Sequence, residues 1–220
     1  MKKLFLVANW KSNKTNAEAK SWLKEITNYE LRITNKEIII CPPFTLLSGM
    51  KALIEKKKLL FKLGAQNLSP FDAGAYTGEI NAKQIKEFAD YVIIGHSERR
   101  NNFGETEEIL SEKAKKAMAV DLTPIYCIQN ETTPVPKGVI LVAYEPPTAI
   151  GTGNPDTPEN AERVAKIVKE KYPHIASIFY GGSVTQDNIR SFVEMAHISG
   201  VLVGGASLDV LKFTALIKNA

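Results

Sequence analysis

Cysteine is nearly absent: the 220 residues hold two, Cys41 and Cys127, far apart and with no CxxC spacing. This excludes a disulfide-dense scaffold and a cysteine-based metal or redox motif. Each cysteine lies in an apolar run, as expected of reduced, buried thiols in a cytoplasmic protein. Long hydrophobic runs are also missing, and none approaches the ~20 residues of a membrane span. The first, Leu4–Ala8, is too short for a signal-peptide core and runs straight into Asn9-Trp10-Lys11. Neither sign of charge dominates. Lys plus Arg is 28 against 24 for Asp plus Glu, a formal charge of +4. So small and scattered an excess argues against nucleic acid or a membrane surface as partner, and Lys56-Lys57-Lys58 reads as a solvated helix end. No G-x-G-x-x-G and no P-loop signature occurs.

What is present is a series of eight short apolar runs: Leu4–Ala8, Ile38–Cys41, Phe61–Ala65, Tyr91–Gly95, Pro124–Ile128, Val139–Tyr144, Ile178–Gly182 and Val201–Gly204. None alternates strictly with polar residues, which suits strands covered on both faces, as in a parallel sheet. Helical spacing fills most gaps between them. Ala19, Trp22, Leu23 and Ile26 share a face, and so do Leu46, Met50, Leu53 and Ile54. The same holds for Leu110, Ala114, Ala117 and Met118, for Ala161, Val164, Ala165 and Val168, and for Ile189, Phe192, Val193 and Ala196. Thr157-Pro158 reads as an N-cap with proline at the first helical position. Asn81 with Gln84 reads as a capping box. The last helix is expected from Leu208 to Lys218.

Eight strand–helix units predict an α/β fold, a (β/α)8 barrel of eight parallel strands in one domain over residues 1–220. An open doubly wound sheet is the other architecture, and the missing glycine fingerprint counts against it. The fold usually takes about 250 residues. Gln129–Gly138, between the fifth and sixth runs, holds two prolines and no apolar periodicity. Ten extended residues reach ~33 Å, enough to return along one strand. The barrel is therefore expected to lack the outer helix between strands five and six. Its bared flank would expose apolar surface unless the loop or another subunit covers it.

Chemistry in such barrels sits at the C-terminal strand ends. Strand one ends in Asn9-Trp10-Lys11, strand four in Gly95-His96-Ser97-Glu98-Arg99-Arg100, and strand six in Tyr144-Glu145-Pro146. Glu145 is either a solvated rim carboxylate or a general base for a proton beside a carbonyl. His96 is either a histidine held by a backbone hydrogen bond or an electrophile. His174 and His197 read as surface or helix-end residues. Lys11 is either solvated or a charge that draws in an anion and stabilises a developing oxyanion. Gly151-Thr152-Gly153, Gly181-Gly182-Ser183 and Gly204-Gly205 are singly tight turns. Together, at adjacent strand ends, they fit a phosphate cradle of backbone N–H groups.

These motifs, with Ala143-Tyr144-Glu145-Pro146, Ala149-Ile150-Gly151-Thr152-Gly153 and Val203-Gly204-Gly205-Ala206-Ser207, come in one order along nearly the whole chain. In that order they resemble the triosephosphate isomerase family. The resemblance implies an isomerase of glycolysis and gluconeogenesis, without cofactor or metal, that interconverts dihydroxyacetone phosphate and D-glyceraldehyde 3-phosphate. It implies Glu145 as base, His96 as neutral electrophile and Lys11 as third catalytic residue. It implies substrate contacts at Asn9, Lys11, Gly151, Ser183, Gly204 and Gly205, with Ser97 and Glu98 in support. Pro146 to about Asp156 would be a lid. The long loop Gln66–Glu79 would dock into a second copy, with Thr77 reaching the neighbour's site and Arg99 joining the contact. A homodimer is thus implied, and the shortened wall would permit a higher oligomer.

Two features depart from the family. The lid begins Pro146-Pro147-Thr148 where Pro-Val-Trp is usual, and Cys127-Ile128-Gln129-Asn130 stands for Cys-Ile-Gly-Glu. They motivate the alternative of a non-catalytic phospholigand-binding barrel.

Overall fold

The computed structural model describes residues 2–31 and 33–220. The apolar runs lack alternation because both faces of each strand are covered. The strands are β1 (Leu4–Asn9), β2 (Lys36–Cys41), β3 (Phe61–Ala65), β4 (Tyr91–Ile94), β5 (Thr123–Ile128), β6 (Leu141–Tyr144), β7 (Ser177–Tyr180) and β8 (Ile198–Val203). They pair in parallel in chain order, and β8 returns to β1 to close the barrel. Phe5, Val7, Ile39, Ile93, Ile125 and Phe179 fill the interior, with the Phe5 and Phe179 rings 5.1 Å apart. Leu6, Ala8, Ile38 and Ile40 face outward into the layer beneath the helices. Both cysteines are free and buried inside the barrel, where burial pushes their thiols up.

The helices are α1 (Asn16–Ile26), α2 (Phe44–Lys56), α3 (Ala82–Lys86), α4 (Ser97–Phe103), α5 (Glu107–Met118), α6 (Pro158–Lys171), α7 (Ile189–Val193) and α8 (Val210–Asn219). The capping box at Asn81 and Gln84 forms, and Thr157 caps α6 ahead of Pro158. Lys57 and Lys58 follow α2 as exposed residues. Among the described residues no helix is long and apolar enough to cross a membrane.

Several boundaries differ from the sequence expectation. β8 starts at Ile198, before Val201, because Gly200 lies opposite Phe5 at the closing seam. A side chain at Gly200 would strike the Phe5 carbonyl, so the absence of one lets β1 and β8 meet. β6 starts at Leu141, leaving Ile140 exposed. β7 stops at Tyr180; the Gly181 amide adds one more bond, to the Tyr144 carbonyl at 2.8 Å, and the chain bends from Gly182. α7 ends at Val193, so Ala196 lies outside it and is exposed. The expected helix from Leu208 is two elements, a 3₁₀ turn over Gly205–Leu208 and then α8. Extended Asp209 separates them and caps α8 through its side chain. His197 is no plain surface residue, since its Nδ1 lies 2.5 Å from Glu162 on α6.

No helix lies between β5 and β6 among the described residues, and the loop itself covers the flank. Asn130 Oδ1 accepts from the Thr132 and Thr133 amides at 2.9 and 3.2 Å, which curls the chain. Val135 and Val139 turn inward and are buried. Glu131 pairs with Arg163 of α6 at 2.8 Å, and the Val135 amide donates to the Tyr172 hydroxyl at 3.4 Å. On the other side Gly138 rests on Met118 of α5. Two buried valines thus do the sealing that a whole helix face would otherwise do.

Candidate active site

The C-terminal strand ends gather residues remote in sequence around one cavity of about 490 Å3. Asn9, Lys11, His96, Glu145 and the glycine turns after β7 and β8 line it. Glu145 follows β6, and its amide donates to the Ile128 carbonyl at 2.8 Å, extending the ladder by one bond. Its side chain is 1 % exposed. Oε2 accepts from the Ser97 amide at 2.8 Å, while Oε1 has no hydrogen bond and lies 3.2 Å from His96 Nε2. One carboxylate oxygen is anchored and the other is left to react. Burial pushes the Glu145 carboxyl above its ordinary range, against the pull of His96, the Ser97 amide, the Cys127 thiol and Lys11.

His96 caps α4, and its Nδ1 accepts from the Glu98 amide at 3.2 Å. A nitrogen that accepts carries no proton. The ring proton therefore sits on Nε2, which lies near Glu145 Oε1 without being hydrogen-bonded to it. The backbone hydrogen bond weighed against a chemical role for His96 is thus present, and it serves to orient the ring.

Lys11 holds a left-handed backbone, φ 52°. Three contacts keep it there. Its amide donates to Asn9 Oδ1 at 3.1 Å, its carbonyl accepts from Gln66 Nε2 at 2.8 Å, and its ammonium meets Glu98 Oε1 at 2.5 Å. Gln66 was not among the expected site residues. It opens the loop after β3, and only the fold reveals that it reaches back to β1.

The glycine turns bring bare backbone to the cavity wall. Gly204 borders the Lys11 side chain, and Gly205 opens the 3₁₀ turn. Gly182 lies so close beneath Ala149 and the Tyr180 hydroxyl that a side chain there would collide with both. Ser183 Oγ donates to the Ala149 carbonyl at 2.7 Å, which ties the β7 turn to the segment after Glu145. That segment ends at Asp156, the expected end of the lid, held there by bonds the sequence did not reveal. Its amide donates to the Tyr180 hydroxyl at 2.7 Å, and its carboxylate accepts from the Tyr144 hydroxyl at 3.0 Å and from Asn160 Nδ2 at 2.6 Å. The far end of the lid is thus bonded to the residue preceding Glu145. With tryptophan missing at Thr148, these bonds hold the lid's ends together.

Arg99 pairs with Glu105 at 2.6 Å, and the same carboxylate oxygen receives Lys113 at 2.5 Å. Lys113 also donates to Asn67 at 2.7 Å, which fixes the root of the loop after β3. Beyond that root, every residue from Phe71 to Glu79 is exposed, Thr77 included.

A closed parallel barrel carrying a buried carboxylate, an oriented imidazole and a lysine beside a glycine-lined pocket defines an α/β-barrel enzyme equipped for proton transfer. The family model described as triosephosphate isomerase matches residues 4–139 and 135–220. Triosephosphate isomerase of Dictyoglomus thermophilum is 41% identical over 251 positions, covering 100% of both chains. That of Mycoplasmopsis pulmonis is 40% identical over 244 positions, covering 99% of this chain and 98% of its own. That of Dictyoglomus turgidum is 39% identical over 251 positions, again with 100% of both covered. The chain belongs to the triosephosphate isomerase family. Fitting 220 residues to 251 positions leaves 251 − 220, about 31, unfilled. The family match divides at residues 135–139, within the helix-free β5–β6 loop.

Proposed function

We propose that the chain, as one barrel domain over residues 1–220, interconverts dihydroxyacetone phosphate and D-glyceraldehyde 3-phosphate in the cytoplasm. The observation that carries this reading is the buried Glu145 carboxylate, one oxygen bonded to the Ser97 amide and the other free beside His96 Nε2. The free oxygen removes a proton from the carbon next to the substrate carbonyl and returns it to the neighbouring carbon. His96 donates from Nε2 to the oxygen on which enediolate charge develops, and Lys11 stabilises that charge. Asn9 holds Lys11 in place and contacts substrate. Gly151, Ser183, Gly204 and Gly205 offer backbone N–H groups to the phosphate. Ser97 and Glu98 position Glu145 and Lys11. Residues 146–156 close over the site and exclude water.

The direct test is a coupled assay with glyceraldehyde 3-phosphate, NADH and glycerol-phosphate dehydrogenase. Steady NADH consumption is expected, and its absence from folded protein would overturn the reading. The raised Glu145 carboxyl adds a pH prediction. The base works ionised, so activity falls as pH drops through its raised pKa. With unphosphorylated glyceraldehyde, whose own titration does not interfere, the acid limb of kcat/KM is expected above the usual carboxylate range of about 4.3. An acid limb at or below that value would remove Glu145 from the role of base.

The proposed assembly is a homodimer through the Gln66–Glu79 loop. Phe71 and Tyr76 stack with centroids 4.3 Å apart while remaining 47% and 44% exposed, and Phe103 at the end of α4 is 67% exposed. Apolar exposure of this kind suits a protein contact. Light scattering is expected to give twice the 24.3 kDa chain mass. Phe71→Asp should shift that mass toward the monomer.

A further inference from the structure

We propose that Lys212 is a further binding residue for the anionic end of the substrate. This inference rests on the function proposed above. Lys212 lines the same cavity as Lys11 and Glu145, on the wall where the turns after β7 and β8 meet. Its backbone is fixed, because its amide donates to the capping Asp209 side chain at 2.9 Å. Its side chain is exposed, and among the described residues no carboxylate pairs with its ammonium.

Two physical arguments give that position meaning. The first concerns the helix. Lys212 occupies the first turn of α8, where unpaired N–H groups disfavour a cation. The acid that compensates this end is Asp209 at the N-cap, whose side chain bonds the Lys212 amide and not its ammonium. The Lys212 ammonium thus does nothing for α8 and is left to face an anion.

The second concerns the charge of the cavity. Its formally charged lining residues are Lys11, Lys212, Glu145 and Asp187, two of each sign. The Lys11 ammonium is already held by Glu98 at 2.5 Å. Without Lys212 the lining would be net negative toward a phosphorylated substrate. Asp187 also shares a neighbouring cavity with Arg190 and Lys218, and Lys212 is the lining lysine without a carboxylate partner among the described residues that is left to draw the phosphate toward Gly204 and Gly205.

The test compares Lys212→Gln with Lys218→Gln, which removes an equal charge from the last turn of the same helix. Lys212→Arg is the conservative rescue. Affinity for inorganic phosphate is measured by calorimetry. Kinetics with triose phosphate are measured at about 0.01 M and about 1 M salt, where screening differs strongly. At low salt Lys212→Gln is expected to weaken phosphate binding and lower kcat/KM by about 3- to 10-fold, with kcat changed less than about 2-fold. The difference should shrink at high salt, and Lys212→Arg should restore both values. Lys218→Gln should change neither by more than about 2-fold. If both glutamine variants bind phosphate equally and share one kcat/KM at low salt, the proposal is overturned. If the unmodified protein lacks isomerase activity, the proposed function fails, and phosphate calorimetry still decides the role of Lys212.

Discussion

Glu145→Gln lowers kcat for triose phosphate isomerisation by about 10²- to 10⁴-fold, the range that one positioned general base supplies. Phosphate affinity is expected to stay within about 3-fold, because the glycine turns and both cavity lysines are untouched. The substitution keeps the architecture: a glutamine oxygen can still accept from the Ser97 amide that now bonds Oε2 at 2.8 Å. What disappears is the basic oxygen beside His96 Nε2. Stability moves the other way. Burial raises the Glu145 carboxyl, so the folded chain holds this proton more tightly than the unfolded chain does. By linkage, wild-type stability declines as pH rises from the ordinary carboxylate range through the raised value. Glutamine carries no such penalty. A Tm about 2–4 °C higher is expected for Glu145→Gln at pH 8, with the gain vanishing near pH 4. Calorimetry at the two pH values checks this, and a lower Tm at pH 8 would show that the carboxylate stabilises the fold.

That opposition between stability and activity explains which parts of the site were legible in the sequence. Strand ends could be read because burial on both faces leaves a run of apolar residues, and the first polar residue after it marks the barrel mouth. Asn9, His96 and Glu145 were found this way. The roles proposed for them rest on the order of motifs along the chain. Distances could not be read. The Ser97–Glu145 and Lys11–Glu98 contacts join residues 48 and 87 positions apart, and only barrel closure brings them together. The same limit hid the contacts of Gln66 and Asp156, ordinary polar loop residues whose partners lie at other strand ends. One boundary failed where a glycine stood in for packing. Gly200 looks like a strand breaker in the sequence, yet it is required where β8 meets Phe5. Proline-broken Gln129–Gly138 was the reverse case. Its composition ruled out a helix, and the structure adds how Val135 and Val139 seal the gap.

Lys11→Met is expected to lower kcat/KM by about 10²- to 10³-fold, as loss of a charge aimed at a developing oxyanion does. Methionine matches the length of the lysine stem and removes only the ammonium. The backbone is held independently of that charge. A φ of 52° is costly for a residue with a side chain, and the Asn9 and Gln66 contacts stay in place to maintain it. Strain at such a residue places the ammonium against Gly204 and Glu98 instead of letting it extend into solvent. Folding stability should change by less than about 1 kcal/mol, because the Lys11–Glu98 pair is partly exposed. The division between kcat and KM decides how the charge is used. Loss of an ammonium that only gathers phosphate raises KM and leaves kcat alone, whereas loss of one that also stabilises the enediolate lowers kcat. Both are expected to move, with kcat carrying the larger share, since Lys212 remains to attract the anion. A change in KM alone would confine Lys11 to binding, and His96 would then be the sole stabiliser of the enediolate oxygen. Lys11→Met combined with Lys212→Gln should then lower kcat/KM beyond either single change, with the added loss appearing in KM.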